Sequence, residues 1–244
     1  RQLVTDEMDT SDTVEPMQQI ERAESSLFKV AEGASTGSET QSFADATRTS
    51  IKMIEQALNS GGHVSGTTTG FTSINEKTGG LHNSDLIILA GRPGMGKSSL
   101  ATNIAFNTAN RLRRDLADGI SEEESVGAAV ALFSLEMSAD QLATRILAEN
   151  SGISSHNLRM GKISREDFQA LSRASQELNE LPLFIDDSPG LSIAALRARA
   201  RRLKRRHNIG LVVVDYLQLL QGSGRANDNR VNEISEISCG LKTL

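Results

Sequence analysis

The sequence contains few cysteines and few aromatic residues. Cys239 is the single cysteine, there is no tryptophan, and aromatic residues make up 3% of the 244 residues. One cysteine excludes an intrachain disulfide and is typical of a reducing compartment, where we expect Cys239 to be a small buried apolar side chain. With so few aromatic residues, the core has to be built from Leu, Ile, Val and Ala.

Long apolar runs and a net positive charge are also missing. No stretch reaches the roughly 18 apolar residues that a transmembrane helix needs, and no charged and then apolar leader opens the chain. The formal net charge is −5, so any nucleic-acid site has to be local. These features predict a cytoplasmic chain with no membrane partner.

The N-terminal quarter of the chain is polar and is predicted to contain two helices. Apolar residues recur at helical spacing over 16–32, and residues 33–41 have the composition of a flexible linker. A helix without a core of its own is expected to dock its apolar side on another surface. A second helix is predicted over 43–59, behind a capping pattern formed by Ser42 and Asp45.

From residue 85 onwards, predicted strands alternate with predicted helices. This alternation predicts an α/β fold with a mainly parallel sheet covered by helices on both faces, since right-handed crossovers force that arrangement. The predicted strands are 85–90, 128–134, 181–186 and 211–220. The predicted helices follow them at 98–115, after Ser138, after Ser164 and after Ser192.

The stretch ILAGRPGMGKSSL, residues 88–100, predicts a phosphate-binding loop. Its glycines and Lys97 and Ser98 satisfy the pattern G-x-x-x-x-G-K-[ST]. Backbone N–H groups of such a loop point inward around an anion, and the following helix adds the positive end of its dipole. We expect Lys97 to neutralise the β- and γ-phosphates of ATP and Ser98 to bind Mg²⁺. The predicted binding set is Gly91, Arg92, Pro93, Gly94, Met95, Gly96, Lys97, Ser98 and Ser99.

Two carboxylates follow predicted strands and are candidates for hydrolysis. Asp215 ends the apolar run LVVVD, where ligands of open α/β sheets bind, and is expected to hold Mg²⁺, partly through water. Glu136 follows the neighbouring predicted strand and is expected to orient or deprotonate the attacking water. The structural alternatives are a solvated strand end for Asp215 and a helix-entry glutamate for Glu136.

Four stretches together resemble the motor domain of replicative DNA helicases of the DnaB type. They are TTGFTSINEKTGGL, DLIILAGRPGMGKSSLATNIA, LFSLEMSADQLATRILAENSGI and IGLVVVDYLQLL, in this order, between about Gly70 and Leu220. The resemblance implies a RecA-like P-loop NTPase fold in a homohexameric ring. It also implies that Lys97 and Ser98 hold phosphate and Mg²⁺, that Glu136 is the catalytic base and that Asp215 is the Walker B ligand.

The resemblance further implies how the chain is organised and what it does. Residues 1–15 correspond to the end of an N-terminal domain, residues 16–42 to a linker helix and flexible linker, and residues 43–244 to the motor. In the family, ATP is hydrolysed between subunits to drive translocation on single-stranded DNA and unwinding of forked DNA. The linker helix 16–32 is expected to dock on a neighbouring subunit, and primase and a helicase loader are the implied partners.

The family sequence continues beyond Leu244 into a segment with a phosphate-sensing glutamine, an arginine finger and a second DNA loop. We therefore expect the chain to be a fragment of a longer protein. If it were the whole polypeptide, it should bind nucleotide but hydrolyse it poorly, because an arginine finger supplies about 10³–10⁵ in rate.

Two basic segments are candidates for contact with DNA. The stretch 222–230 is rich in glycine and polar residues, and we expect Arg225 and Arg230 to contact phosphates, assisted by Asn227 and Asn229. An ordinary surface loop is the alternative. The run 197–207 is more basic, but its apolar residues share one helical face, which is typical of a solvated covering helix.

The same residues leave other functions open. A RecA-like recombinase or clock-type ATPase would share the same core, and a nucleotide-dependent assembly module would use it without unwinding. The four histidines have no partners at metal-ligand spacing, so the sequence predicts no zinc site.

Overall fold

The structure is a computed structural model that describes residues 42–59, 64–222 and 230–244. The chain divides into two compact units, residues 1–55 and residues 56–244. The predicted helix over 16–32 lies outside the described residues. None of the described helices is long and apolar enough to cross a membrane.

Helix α1 spans Phe43–Asn59 and confirms the predicted second helix. The Ser42 hydroxyl accepts a hydrogen bond from the Asp45 N–H at 3.2 Å and donates one to the Asp45 carboxylate at 2.6 Å, which is the predicted cap. Among the side chains of α1 that the structure describes, four large apolar ones are exposed: Phe43, Ile51, Ile54 and Leu58.

The second unit is an α/β layer structure. Its helices are α2 (Thr72–Thr78), α3 (Lys97–Ala117), α4 (Ala139–Ser151), α5 (Ser155–Met160), α6 (Arg165–Glu177), α7 (Ile193–His207) and α8 (Arg230–Lys242). Its strands are β1 (Val130–Ser134), β2 (Leu183–Asp186) and β3 (Leu211–Asp215), followed by a 3-10 turn at Leu217–Leu219.

The three strands form a parallel sheet in the order β2-β1-β3. Val130 pairs with Leu183 on one side and with Leu211 on the other, and Ser134 pairs with Asp215. Because both pairings are parallel, the carboxyl ends of the strands meet at one edge. The central strand β1 is buried along its whole length, as an apolar run without polar alternation predicts.

Side chains from helices bury both faces of β1. Val130 packs with Ala105 and Ala109 of α3. Ala131 and Phe133 of the same strand point to the opposite face, in a cluster that includes residues of α7 and α8. That second cluster contains Leu196, Ala200, Ile209, Leu220 and Ile237, among others. The predicted parallel sheet between two helical layers is therefore confirmed.

The starts of three helices agree with their predicted caps. The Ser164 hydroxyl accepts from the N–H of Asp167, and the Asp167 carboxylate accepts from the N–H of Ser164, which completes a capping box before α6. Ser138 caps α4 by accepting from Gln141, and Ser192 caps α7 by accepting from Ala195.

The prediction of a buried strand over 85–90 is wrong. These residues carry no strand pairing, and Leu86, Ile87, Ile88 and Leu89 are 37–64% exposed. The apolar run predicts burial, but a strand also requires a neighbouring edge whose N–H and C=O groups pair with it. In the described sheet, β3 is paired with β1 alone, and residues 85–90 pair with neither.

Two smaller predictions are also corrected. The last strand ends at Asp215 rather than at 220, because a 3-10 turn at Leu217–Leu219 replaces the ladder. Cys239 is exposed rather than buried, since it lies on the outer side of α8, whereas Ile237 faces the core.

Candidate nucleotide-binding site

The glycine loop before α3 has a backbone that only glycine adopts without strain. Gly94 and Gly96 have φ angles of 77° and 84°, in the left-handed region. Gly96 precedes the first residue of α3, and no side chain caps the helix. The first N–H groups of α3 are therefore free of a side-chain acceptor, which is the arrangement that binds an anion.

The Lys97 side chain folds back over this loop. Its ammonium group donates a hydrogen bond to the carbonyl oxygen of Gly91 at 2.9 Å. Within the described residues this carbonyl is its hydrogen-bond partner and no carboxylate pairs with it. The loop thus carries a positive charge beside an uncapped helix N-terminus, and both favour a bound anion.

The two candidate carboxylates lie at the same edge of the sheet. Asp215 ends β3 and is 8% exposed. Glu136 lies two residues beyond the end of β1 and is exposed. The two strand ends are joined directly, because the N–H of Leu135 donates to the carbonyl oxygen of Asp215 at 2.8 Å. The predicted topological placement of both carboxylates is confirmed, and their chemical roles stay predictions.

The donor types of two predicted ligands, Ser98 and Asp215, fit the expected metal ion. Ser98 offers a hydroxyl in the first turn of α3, and Asp215 offers a carboxylate at the end of β3. Oxygen ligands of this kind are those that Mg²⁺ prefers. No group of three or more His, Cys, Asp and Glu residues with metal-site geometry occurs in the described ranges.

The segment that carries Glu136 is attached to two neighbouring elements. The Ser134 hydroxyl donates to the carbonyl of Met137 at 2.6 Å and accepts from its N–H at 3.2 Å. The N–H of Ala139, the first residue of α4, donates to the Asp187 carboxylate at 2.8 Å. The sequence patterns point to neither Ser134 nor Asp187. Asp187 follows the strand β2, so the rule that identified Glu136 and Asp215 would also have found it.

The adjacent Asp186 has a structural partner. The Arg199 guanidinium donates to both of its carboxylate oxygens, at 3.0 and 2.8 Å, and also to the Ser188 hydroxyl. Burial raises the pKa of Asp186, but the hydrogen bonds from Arg199 and Ser188 and the charge of Arg199 lower it more, so its pKa lies below the usual value. This ion pair fixes α7 to the end of β2.

Helix α4 is also connected to the first two turns of α3. Arg145 donates to the Ser99 hydroxyl, and Asn103 donates to the Glu149 carboxylate at 3.3 Å. Because α4 begins shortly after Glu136 and Ser99 follows Lys97 and Ser98, these bonds link the two parts of the candidate site. No sequence rule pointed to Arg145, since its partner is 46 residues away.

The candidate DNA segment is described in part. Arg225, Asn227 and Asn229 lie outside the described residues, and Arg230 is the first residue of α8. The Arg230 guanidinium donates to the Glu233 carboxylate and to the carbonyl of Gln218. Glu233 also accepts from the Gly222 N–H at 3.2 Å, and these two donors hold the pKa of Glu233 below its usual value.

The basic run 197–207 forms most of α7, and the helix has the predicted apolar face on the side of the core. Leu196 and Ala200 are buried, and Leu203 packs against the same cluster. Lys204, Arg205 and Arg206 are exposed.

A glycine loop leading into a helix, beside a parallel sheet with carboxylates at its edge, defines a RecA-like P-loop NTPase core. The family model described as the DnaB-like helicase C-terminal domain matches residues 66–244, and the chain belongs to this family.

Named relatives and solved structures agree with this assignment. The chain is 46% identical to the replicative DNA helicase DnaB of Rickettsia bellii, across 100% of the chain and 48% of that protein. It is 40% identical to the replicative DNA helicase DnaC of Bacillus subtilis, across 92% of the chain and 46% of that protein. The chain thus spans about half the length of these relatives.

Two solved structures share the fold. One, described as an ATPase domain, superposes with a TM-score of 0.71 at 30% identity, covering 84% of this chain and 67% of that one. The other, a DnaB-like replicative helicase described together with its interactions with primase, has a TM-score of 0.73 at 27% identity and covers 99% of this chain and 52% of that one.

Proposed function

We propose that the chain is part of an ATP-dependent replicative DNA helicase, which hydrolyses ATP to translocate on single-stranded DNA and unwind duplex. The observation that carries the proposal is the common sheet edge of Glu136 and Asp215, linked through α4 to the helix that begins with Lys97. Family membership supports the same activity.

The phosphate loop is the proposed binding element for ATP. The loop N–H groups and the N-terminus of α3 bind the phosphates, and the Lys97 ammonium moves from the Gly91 carbonyl to the β- and γ-phosphates. The remaining loop residues, Arg92 to Ser99, surround the phosphate chain. Ser98 and Asp215 are the proposed Mg²⁺ ligands, Asp215 partly through water.

Glu136 is the proposed general base. Its exposed carboxylate accepts the proton of the attacking water, whose oxygen forms a bond to the γ-phosphorus while the bond to the β–γ bridging oxygen breaks. When bound, Mg²⁺ supplies neutralisation of the charge on the phosphate oxygens. Lys97 contributes to the same neutralisation from the loop.

The proposed assembly and partners follow the family. We infer a homohexamer in the cytoplasm, in which the linker helix 16–32 docks on a neighbouring subunit and ATP lies between subunits. The exposed apolar side of α1 supports assembly, because such a surface is costly to leave in water. Forked DNA, primase and a helicase loader are the further proposed partners.

A recombinase is not favoured, because the matching family and relatives are helicases.

Contact with single-stranded DNA is proposed for the segment 222–230, through Arg225, Asn229 and Arg230. We expect ATP-dependent unwinding of a forked duplex by the whole helicase of which this chain is proposed to be part, and weaker single-strand binding after Arg225→Ala combined with Arg230→Ala. Since each phosphate contact contributes about 0.7 to the salt slope of single-strand binding, the slope should fall by about 1.4 in this double variant. Fluorescence titration of an oligonucleotide at several salt concentrations measures it.

A control separates DNA contact from loss of the bonds at the base of the segment. Glu233→Gln weakens the ion pair with Arg230 but leaves both arginines in place, so its salt slope should match that of the wild type. An equal loss of affinity in Glu233→Gln, or an unchanged slope in the double variant, would contradict the proposed contact. Absence of ATP-dependent unwinding by the whole wild-type helicase would contradict the helicase function.

A further inference from the structure

The segment 135–139 is fixed at three points around Glu136. Within the described part of the chain, the Glu136 carboxylate itself forms no hydrogen bond or ion pair. Its position is therefore determined by the backbone on either side. A general base has to be held within hydrogen-bond reach of the water that it deprotonates, so these attachments bear directly on catalysis.

Two attachments lie on the strand side of Glu136. Leu135 is joined to the carbonyl of Asp215, so the backbone leaves β1 in register with β3. The Ser134 hydroxyl then closes a tight turn by bonding both polar backbone groups of Met137. Because Ser134 is 2% exposed, water cannot readily replace its hydroxyl in this turn.

The third attachment lies on the helix side and comes from β2. The Asp187 carboxylate accepts from the N–H of Ala139 at 2.8 Å, a short distance typical of a charge-assisted bond. The local cap is weaker, since Ser138 accepts from Gln141 at 3.4 Å. Asp187 follows Asp186, which Arg199 fixes at the end of β2. The start of α4 is thus tied to an anchored strand end.

We infer that Asp187, together with Ser134, is a positioning residue for the proposed base Glu136. Asp187 touches neither nucleotide nor water in this role. It holds the first turn of α4 so that the Glu136 carboxylate stays at the edge of the sheet. This inference rests on the proposed function, since it needs Glu136 to act in hydrolysis.

The test is the steady-state hydrolysis of ATP by Asp187 variants of the whole helicase of which this chain is proposed to be part. Asp187→Ala removes the acceptor, and we expect kcat to fall about 10- to 100-fold with an unchanged KM, because a displacement of about 1 Å can cost up to about 10² in rate. Asp187→Asn keeps an acceptor oxygen and should recover most of the wild-type kcat. An effect of the negative charge alone would not be repaired by the neutral amide in this way.

Asp140→Ala is the matched control. Asp140 places another carboxylate at the start of α4, in its first turn, but it forms no bond to the end of β2 among the described residues. It should keep a nearly wild-type kcat. A wild-type kcat in Asp187→Ala would overturn the inference. An equal loss of kcat in Asp140→Ala would also overturn it, because the effect would then come from charge at the helix end.

A second variant covers the case in which Asp187→Ala does not fold. Ser134→Ala removes the hydroxyl that closes the turn at Met137 and should also lower kcat at constant KM. A wild-type kcat in Ser134→Ala would overturn the inference. Glu136→Gln distinguishes this result from failure of the proposed function. If that variant turns over like the wild type, the role of Glu136 is wrong. If it is inactive while Asp187→Ala is fully active, the positioning role alone is wrong.

Discussion

Glu136→Gln should lower the rate of ATP hydrolysis by about 10²–10⁴, the contribution of a positioned general base. The amide has nearly the shape of the carboxylate but cannot accept the proton of the attacking water. Nucleotide affinity should change little, because the phosphates bind to the loop and to α3 rather than to Glu136. Steady-state phosphate release together with titration of a fluorescent ATP analogue measures both quantities.

Glu177→Gln is a suitable control for this prediction. It makes the same change in charge at an exposed glutamate of α6. Its hydrolysis rate should equal that of the wild type. Retention of more than about a tenth of the wild-type rate in Glu136→Gln would show that Glu136 is the helix-entry glutamate that the sequence left open.

Lys97→Ala should remove most of the nucleotide affinity. Hydrogen bonds to charged groups are worth about 1.5–3 kcal/mol, which corresponds to a loss of about 10- to 150-fold in affinity for ATP. Hydrolysis should fall further, since the lysine also neutralises charge that develops on the γ-phosphate. Equilibrium titration with ATP and with ADP measures the first effect, and phosphate release measures the second.

The fold itself should tolerate this change. The described partner of the Lys97 ammonium is the carbonyl oxygen of Gly91, in an exposed loop. The thermal midpoint without nucleotide should therefore stay close to that of the wild type. Lys162→Ala, at an exposed lysine between α5 and α6, should leave affinity unchanged. Wild-type affinity in Lys97→Ala would mean that the glycine loop is only a tight strand-to-helix turn.

The elements around the site follow from local rules. The glycine pattern of 91–96 predicts a phosphate-binding loop, and Lys97 predicts the cation beside the helix end, because those features depend on neighbouring residues in the chain. Asp215 and Glu136 were found by one further rule, that carboxyl ends of parallel strands share an edge. In the observed sheet, β1 and β3 are direct neighbours, so the strand ends that precede Glu136 and carry Asp215 lie side by side, as this rule assumes.

The contacts that hold the site could not be predicted, because their partners are distant in sequence. Ala139 and Asp187 are 48 residues apart, and Ser99 and Arg145 are 46 residues apart. Hydrophobic patterning fixes which face of a helix is buried, but not which polar groups meet across two elements. The same reason explains the wrong prediction of a strand over 85–90, since an apolar run predicts burial but does not identify a neighbouring strand to pair with.

The exposed position of Cys239 illustrates the limit of residue averages. Free cysteines are mostly buried, and this average predicts a buried Cys239. Helix α8 instead presents Ile237 to the core, and a residue two positions further along a helix points away from that face.

An experimental structure of the chain with Mg²⁺ and a non-hydrolysable ATP analogue tests the account most directly. We predict that the Lys97 ammonium in that structure has left the Gly91 carbonyl for the β- and γ-phosphates. We also predict Ser98 and Asp215 beside Mg²⁺, and the Glu136 carboxylate within hydrogen-bond reach of a water in line with the γ-phosphate. A bound analogue with the Glu136 carboxylate turned away from the γ-phosphate, and no water between them, would contradict it.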